Sequence, residues 1–143
     1  MNQVFGWPYE TTVAMARLAY SGILEKYPQL KFIIHHCGGM LPSFSGRGTS
    51  PRQPGAVAKL TKAPVEYFKK FYGDTVLAGN VAALTCGYSF FGAGHLVFGT
   101  DFHMTGREKP GAAIKPVIAS VEALTIAEEE KAMIFSGNAR QLL

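Results

Sequence analysis

Leu30-Lys31-Phe32-Ile33-Ile34-His35-His36-Cys37-Gly38-Gly39 and His95-Leu96-Val97-Phe98-Gly99-Thr100-Asp101 are the two stretches on which the reading of this chain turns. Each is a short run rich in branched and aromatic side chains, which predicts a buried strand. Both end in glycine and polar residues, so each strand opens at its C-terminal end into a loop that carries titratable groups.

Working outward, residues 10–27 place Val13, Met15, Leu18, Ala19, Gly22 and Ile23 at three- and four-residue steps, which predicts a helix stopped by Pro28. Between the two strands, residues 46–54 are rich in Gly, Ser, Pro and Arg and read as a loop. A helix is predicted over 64–71 with Pro64 in its first turn, a short strand over 72–76, and a helix over 80–91 despite Gly87. Downstream, Ile114, Val117, Ile118, Val121 and Leu124 share one helical face after Pro110. Thr125 and Glu128 have capping-box spacing, predicting another helix to about Phe135, with a final turn or helix over 138–143. Strands that alternate with helices imply a parallel sheet, so the fold class is α/β, in one domain covering residues 1–143.

The chain has 143 residues, 48% hydrophobic and 17% charged, a balance that buries enough apolar surface to exclude disorder. Its net charge of +4 is scattered, with Lys69-Lys70 the only adjacent basic pair, so no nucleic acid partner is expected. The charge suits a small anionic substrate better. Cys37 and Cys86 lack metal-knuckle or redox spacing, which fits reduced thiols. No run is long enough to span a membrane and no signal peptide is apparent, so a cytoplasmic protein without a membrane partner is expected.

In parallel α/β folds, ligands bind at the carboxyl ends of strands. His35-His36 with Gly38-Gly39, and Asp101 with His103, occupy such ends. Strand alternation puts His36 on the face of Phe32 and Ile34 and His35 on the other, so only one of the two points inward. Asp101 is also where a turn or helix-capping aspartate is common, and His36 is equally able to serve a buried loop. His103 reads as an exposed loop histidine, and His35 and His95 carry no assigned role. Trp7 and Phe5 line a pocket or form a hydrophobic clamp at the start of the chain. Asp74-Thr75, beside a strand end, is a weak candidate for supporting the site.

The segments Gly6-Trp7-Pro8-Tyr9-Glu10-Thr11-Thr12, Tyr27-Pro28-Gln29-Leu30-Lys31, His36-Cys37-Gly38-Gly39-Met40-Leu41-Pro42, Gly46-Arg47, Phe98-Gly99-Thr100-Asp101 and Gly137-Asn138-Ala139-Arg140 carry a resemblance. In order and spacing they resemble the C-terminal half of the amidohydrolase-related, metal-dependent decarboxylases, of the 2-amino-3-carboxymuconate-6-semialdehyde and γ-resorcylate decarboxylase kind. The resemblance covers essentially the whole chain. It implies the C-terminal portion of a (β/α)8 TIM barrel of the metal-dependent hydrolase superfamily, a fold of roughly 250 residues when complete.

The resemblance also implies a divalent metal, zinc or manganese, held by a His-x-His, a further histidine and a late aspartate. Asp101 matches that aspartate, as metal ligand and catalytic residue. The early histidines have no counterpart, since none precedes His35. His36 matches the catalytic histidine of acid/base chemistry, and Arg47 an arginine that binds the substrate carboxylate, in some members from a neighbouring subunit; a solvated loop arginine is the plain alternative. The function implied is a metal-dependent decarboxylase or hydrolase, a carboxy-lyase by resemblance, acting on a small carboxylated organic molecule. The alternative is a truncated or degenerate barrel fragment, without catalysis of its own, that acts through association. Half a barrel leaves strand edges open, so a homo-oligomer or a missing N-terminal half is expected as partner. The chain alone is expected to bind zinc or manganese weakly and to turn nothing over. His36 and Asp101 are expected to share one cleft with Arg47 on its rim.

Overall fold

A central strand with one parallel neighbour on each side organises the chain. The computed structural model describes residues 2–49, 60–105 and 108–143. Strands β1 (Ile33–Ile34), β2 (Tyr72–Asp74) and β3 (Leu96–Val97) pair in the order β1-β2-β3, with Ile33 opposite Tyr72, Gly73 opposite Leu96 and Asp74 opposite Val97. All three run the same way, so their carboxyl ends lie along one edge of the sheet.

Each strand is shorter than its hydrophobic run, for reasons visible in the hydrogen bonds. Leu30 N–H turns back to the Tyr27 carbonyl, and the chain leaves the strand at His36 and Cys37, both with φ of +53°. On β3, Ala93–His95 form a tight turn, and Phe98 N–H bonds the Ile134 carbonyl instead of a strand.

The helices come largely where periodicity placed them. Helix α1 (Trp7–Tyr20) starts three residues early, with Pro8 in its first turn, where a missing N–H costs nothing. It ends at Ser21, and Gly22, at φ +74°, breaks the predicted 10–27 helix in two, leaving α2 (Ile23–Lys26). Short helices α3 (Leu41–Phe44) and α4 (Pro64–Phe68) follow, the second ending before Phe71. The expected 46–54 loop begins in a tight turn over Ser45–Thr49, and the rest of it lies outside the described residues.

Helix α5 (Val81–Phe91) begins at Asn80, whose Oδ1 accepts from the Ala83 N–H at 3.1 Å. After β3 come α6 (Phe102–Thr105) and α7 (Pro110–Glu122), the latter burying Val117 and Val121, with Leu124 buried just beyond its end. The next helix, α8 (Glu128–Ala132), is capped at Ala127, two residues past the expected Thr125: Glu130 reaches back to the Ala127 N–H at 3.2 Å. A wide turn over Met133–Gly137 leads into α9 (Asn138–Leu142).

The core gathers Met15 and Ala19 of α1, Tyr67, Phe68 and Phe71, Leu84, Phe90 and Phe91 of α5, Leu96 of β3, and Val121 and Ile134. Asn138 is buried beside it, its amide donating to the Ala93 and Leu96 carbonyls at 2.7 Å each. That ties the last helix to the start of β3, at the sheet edge opposite Asp101. Within Gly137-Asn138-Ala139-Arg140, Asn138 thus serves the fold.

Candidate active site

A cavity of about 390 Å³ opens at the carboxyl edge of the sheet, within the range of small-molecule sites. His36, from the end of β1, and Asp101, from the end of β3, both line it, together with Thr100, Gln3 and an apolar wall of Val76, Leu77, Ala112, Ala113, Pro116 and Val117. The expected meeting of His36 with Asp101 is therefore what the geometry gives. Arg47 is exposed on the Ser45–Thr49 turn and is not among the lining residues. Exposed His103 is not among them either, its ring lying 3.7 Å from that of Phe102. Phe5 and Trp7 are exposed and leave the lining to Gln3 and Val4.

Among the described residues, four non-glycines have φ near +50°: His36, Cys37, Ala78 and Asp101. Three of these line the cavity. Left-handed backbone costs an L-residue about 1–2 kcal/mol, so its clustering here marks a place where the fold tolerates strain to aim side chains.

The central strand holds both loops. Asp74, at the tip of β2, accepts from Cys37 N–H and Val76 N–H through Oδ1, each at 3.0 Å, while its Oδ2 lies 2.5 Å from His35 Nδ1. The next residue, Thr75, fully buried, donates from Oγ1 to the Gly99 carbonyl at 2.9 Å and accepts from the Gly99 N–H at 3.0 Å. One residue pins the loop of His36 and its neighbour the loop of Asp101. The weak sequence signal at Asp74-Thr75 was the one that located this support.

His35 keeps extended backbone, and exposure alternates through Phe32, Ile33, Ile34, His35 and His36 as expected, so His36 lines the cavity while the exposed His35 ring lies 3.9 Å from that of His36 and engages Asp74. Burial pushes the His36 pKa below its usual value, and His35 adds to that effect, opposed by the carboxylates of Asp74 and Asp101. His36 Nδ1 is buried and makes no hydrogen bond to the described residues. The neutral imidazole is thus favoured, with a ring nitrogen not committed to the fold.

The glycines that follow are fixed by contact. A Cβ on Gly39, at φ +62°, would lie 2.4 Å from the Pro8 carbonyl oxygen, so the loop passes directly over the start of α1. The Cys37 thiol is buried against α5, and burial pushes its pKa up to about 12, which makes it a packing group and not a nucleophile.

The metal implied by the resemblance meets an incomplete ligand set. Among the described residues no group of three or more His, Cys, Asp or Glu side chains converges. His36 and Asp101 alone are too few donors for a divalent ion that takes four or more, so the described residues by themselves do not fit the metal.

Comparison with known proteins places this geometry in context. Residues 3–143 match the amidohydrolase family. The 6-methylsalicylic acid decarboxylase of Penicillium expansum is 36% identical over 97% of this chain and 42% of its own length. The 2-keto-4-carboxy-3-hexenedioate hydratase of a Sphingobium strain is 30% identical over 92% of this chain and 38% of its own. A dihydroxybenzoic acid decarboxylase from Polaromonas, solved with manganese and the inhibitor 2-nitroresorcinol, superposes with a TM-score of 0.76 at 30% identity, over 94% of this chain and 40% of that one. The chain spans about two fifths of the length of these relatives. The family match, covering nearly every residue, bears out the resemblance seen in the ordered motifs: this chain belongs to the amidohydrolase family.

Proposed function

We propose that the chain is the C-terminal portion of a (β/α)8-barrel decarboxylase acting on a small carboxylated aromatic molecule, with His36 as its proton-transfer residue. The observation that carries this reading is the convergence of His36 and Asp101, each on strained left-handed backbone, on one cavity at the carboxyl edge of a parallel sheet. Relatives that decarboxylate aromatic acids support the reaction class.

In decarboxylation the bond between a ring carbon and the carboxylate carbon breaks, carbon dioxide leaves, and a proton joins the ring carbon. The neutral His36, with burial holding its pKa down, takes up a proton from solvent and delivers it to that carbon as the bond to the carboxylate breaks, returning to the neutral form. The apolar wall from Val76 to Val117 packs against the ring and keeps water away from it. Asp101 is proposed as one ligand of a divalent metal, manganese by analogy with the Polaromonas protein, the remaining ligands coming from polypeptide outside the described residues. Arg47, exposed beyond the lining, is proposed to meet a substrate carboxylate only if association brings a second subunit's cavity to it.

A second reading has one specific observation behind it: a relative of comparable identity is a hydratase. Addition of water needs the same proton-transfer histidine, so product analysis separates the two. The alternative of a non-catalytic fragment has no observation specific to it. The test is carbon dioxide release from carboxylated aromatics with manganese or zinc present. The chain alone should bind metal weakly and turn nothing over. Protein extended by the rest of a barrel should be active, with His36→Ala lowering kcat by roughly 10²–10⁴-fold. Unchanged turnover in that variant would remove the assignment, and a hydrated product without carbon dioxide would select the second reading.

A further inference from the structure

We propose that Asp74 is a positioning residue for His36: its carboxylate, bridging the Cys37 backbone and the His35 ring, holds the left-handed turn that brings His36 to the cavity. The inference rests on the proton-transfer role given to His36 above.

A turn of two consecutive non-glycine residues at φ +53° is closed by Gly38 N–H to the His35 carbonyl at 3.3 Å and Gly39 N–H to the His36 carbonyl at 2.9 Å, but it needs support from outside as well, because each of the two prefers to leave that region. Something must over-determine it. Three contacts do so. Cys37 Sγ lies where a Cβ on Gly87 would be, at 2.2 Å, so the thiol is seated directly on the backbone of α5. Met40 N–H donates to Thr12 Oγ1 at 2.9 Å, fixing the far end of the loop to α1. Among the described residues Asp74 is the side chain that engages the turn's polar groups, receiving the Cys37 N–H at 3.0 Å on one oxygen and facing His35 Nδ1 at 2.5 Å with the other.

Its position makes that grip rigid. Asp74 is 7% exposed, stands on the central strand, and has Gly99 of the neighbouring loop packed against its Cβ, at 3.4 Å from a Cβ that Gly99 lacks. A carboxylate accepting from backbone N–H groups forms bonds about twice as strong as neutral ones. By also engaging His35, Asp74 holds the ring on which His36 rests, 3.9 Å away, so the carboxylate fixes both the backbone and the ring neighbour of His36. His35 is the exposed member of the pair, and it engages Oδ2, while the backbone grip on Cys37 runs through Oδ1.

The test is nuclear magnetic resonance on the isotope-labelled chain, comparing the native sequence with Asp74→Ala, Asp74→Asn and Thr75→Val. The last variant removes an equally buried partner that holds the Asp101 loop and not the His36 turn. In Asp74→Ala the Cα shifts of His36 and Cys37 should leave left-handed values, while in Thr75→Val they should keep them. Asn at 74 retains an oxygen for the Cys37 N–H, so the shifts should return, with amide exchange at Cys37 faster by roughly tenfold. In protein extended to an active barrel, Asp74→Ala should lower kcat with KM little changed, and Asp74→Asn should restore part of it. Left-handed shifts that persist in Asp74→Ala, or that are lost equally in Thr75→Val, overturn the proposal. Should Asp74→Ala fail to fold, native exchange at Cys37 in Asp74→Asn overturns it as well. Absence of turnover in the native extended protein would instead remove the decarboxylase reading, while the shifts still decide what Asp74 does to the turn.

Discussion

Ala78 isolates the cost of the backbone at this site, because it has the left-handed φ of +52° without a functional side chain to justify it. It is followed by Gly79 at φ +81°, where a Cβ would come within 2.7 Å of Pro116, so the turn is pressed against α7. Glycine at 78 would relieve the strain of Ala78 against its own larger loss of chain entropy, so Ala78→Gly should stabilise the fold by about 0.5 kcal/mol in denaturant titration. A loss of stability would show that the turn is not strained. At this scale His36 and Asp101 were legible because each is a polar residue ending an apolar run. Alternation also told His36 from His35, as their burial shows, but neither His nor Cys announces a left-handed turn. Arg47 could be matched only by resemblance, which says nothing about where its turn points.

Glycine is a poor residue for the middle of a helix, losing about 1 kcal/mol to alanine, yet α5 carries Gly87 and remains helical. The reason lies across the interface, where Cys37 Sγ occupies the space that a side chain at 87 would need. Gly87→Ala should therefore destabilise by about 1–3 kcal/mol in spite of its better helix propensity. Adding Cys37→Ala should return about 1 kcal/mol or more relative to the sum of the single changes, and strict additivity in that cycle would deny the contact. Another element-level tie joins α2 to the start of α4: Glu25 accepts from the Thr61 hydroxyl and backbone N–H and from the Tyr67 hydroxyl. These bonds, the Thr61 hydroxyl first, hold its carboxyl at about 2 against an ordinary 4.5. A depressed folded pKa means stability that is full above 4.5 and lost as pH falls through 2. Acid unfolding should show this loss between pH 4.5 and 2, and Glu25→Gln should flatten it. Helices were legible by their apolar spacing, since packing one face is what keeps them. Strand ends were not, because they are set by which partner each N–H finds, as Phe98 finds Ile134.

At the scale of the whole chain, the sheet has three strands among the described residues, and β1 and β3 each have one strand neighbour there. Parallel sheets are ordinarily covered on both faces and edges, so a three-strand sheet is short of partners in this chain. On the β1 side, Leu30 and Ile33 are 43% and 58% exposed, and Val4, Phe5, Trp7 and Tyr9 at the start of the chain are exposed as well. No helix among the described residues is long and apolar enough to cross a membrane, so these side chains belong to no transmembrane helix there. Open edges and apolar surface of this kind favour association. The chain by itself should therefore self-associate, with a weight-average mass in sedimentation that rises with concentration. Replacing Ile33 with lysine puts a charge on the β1 edge without touching the buried core, and should shift that dependence toward monomer. A native chain that stays a cooperative monomer at high concentration would contradict this reading. It would mean that three strands and their helices satisfy themselves, and that the apolar residues around β1 are surface of the ordinary scattered kind.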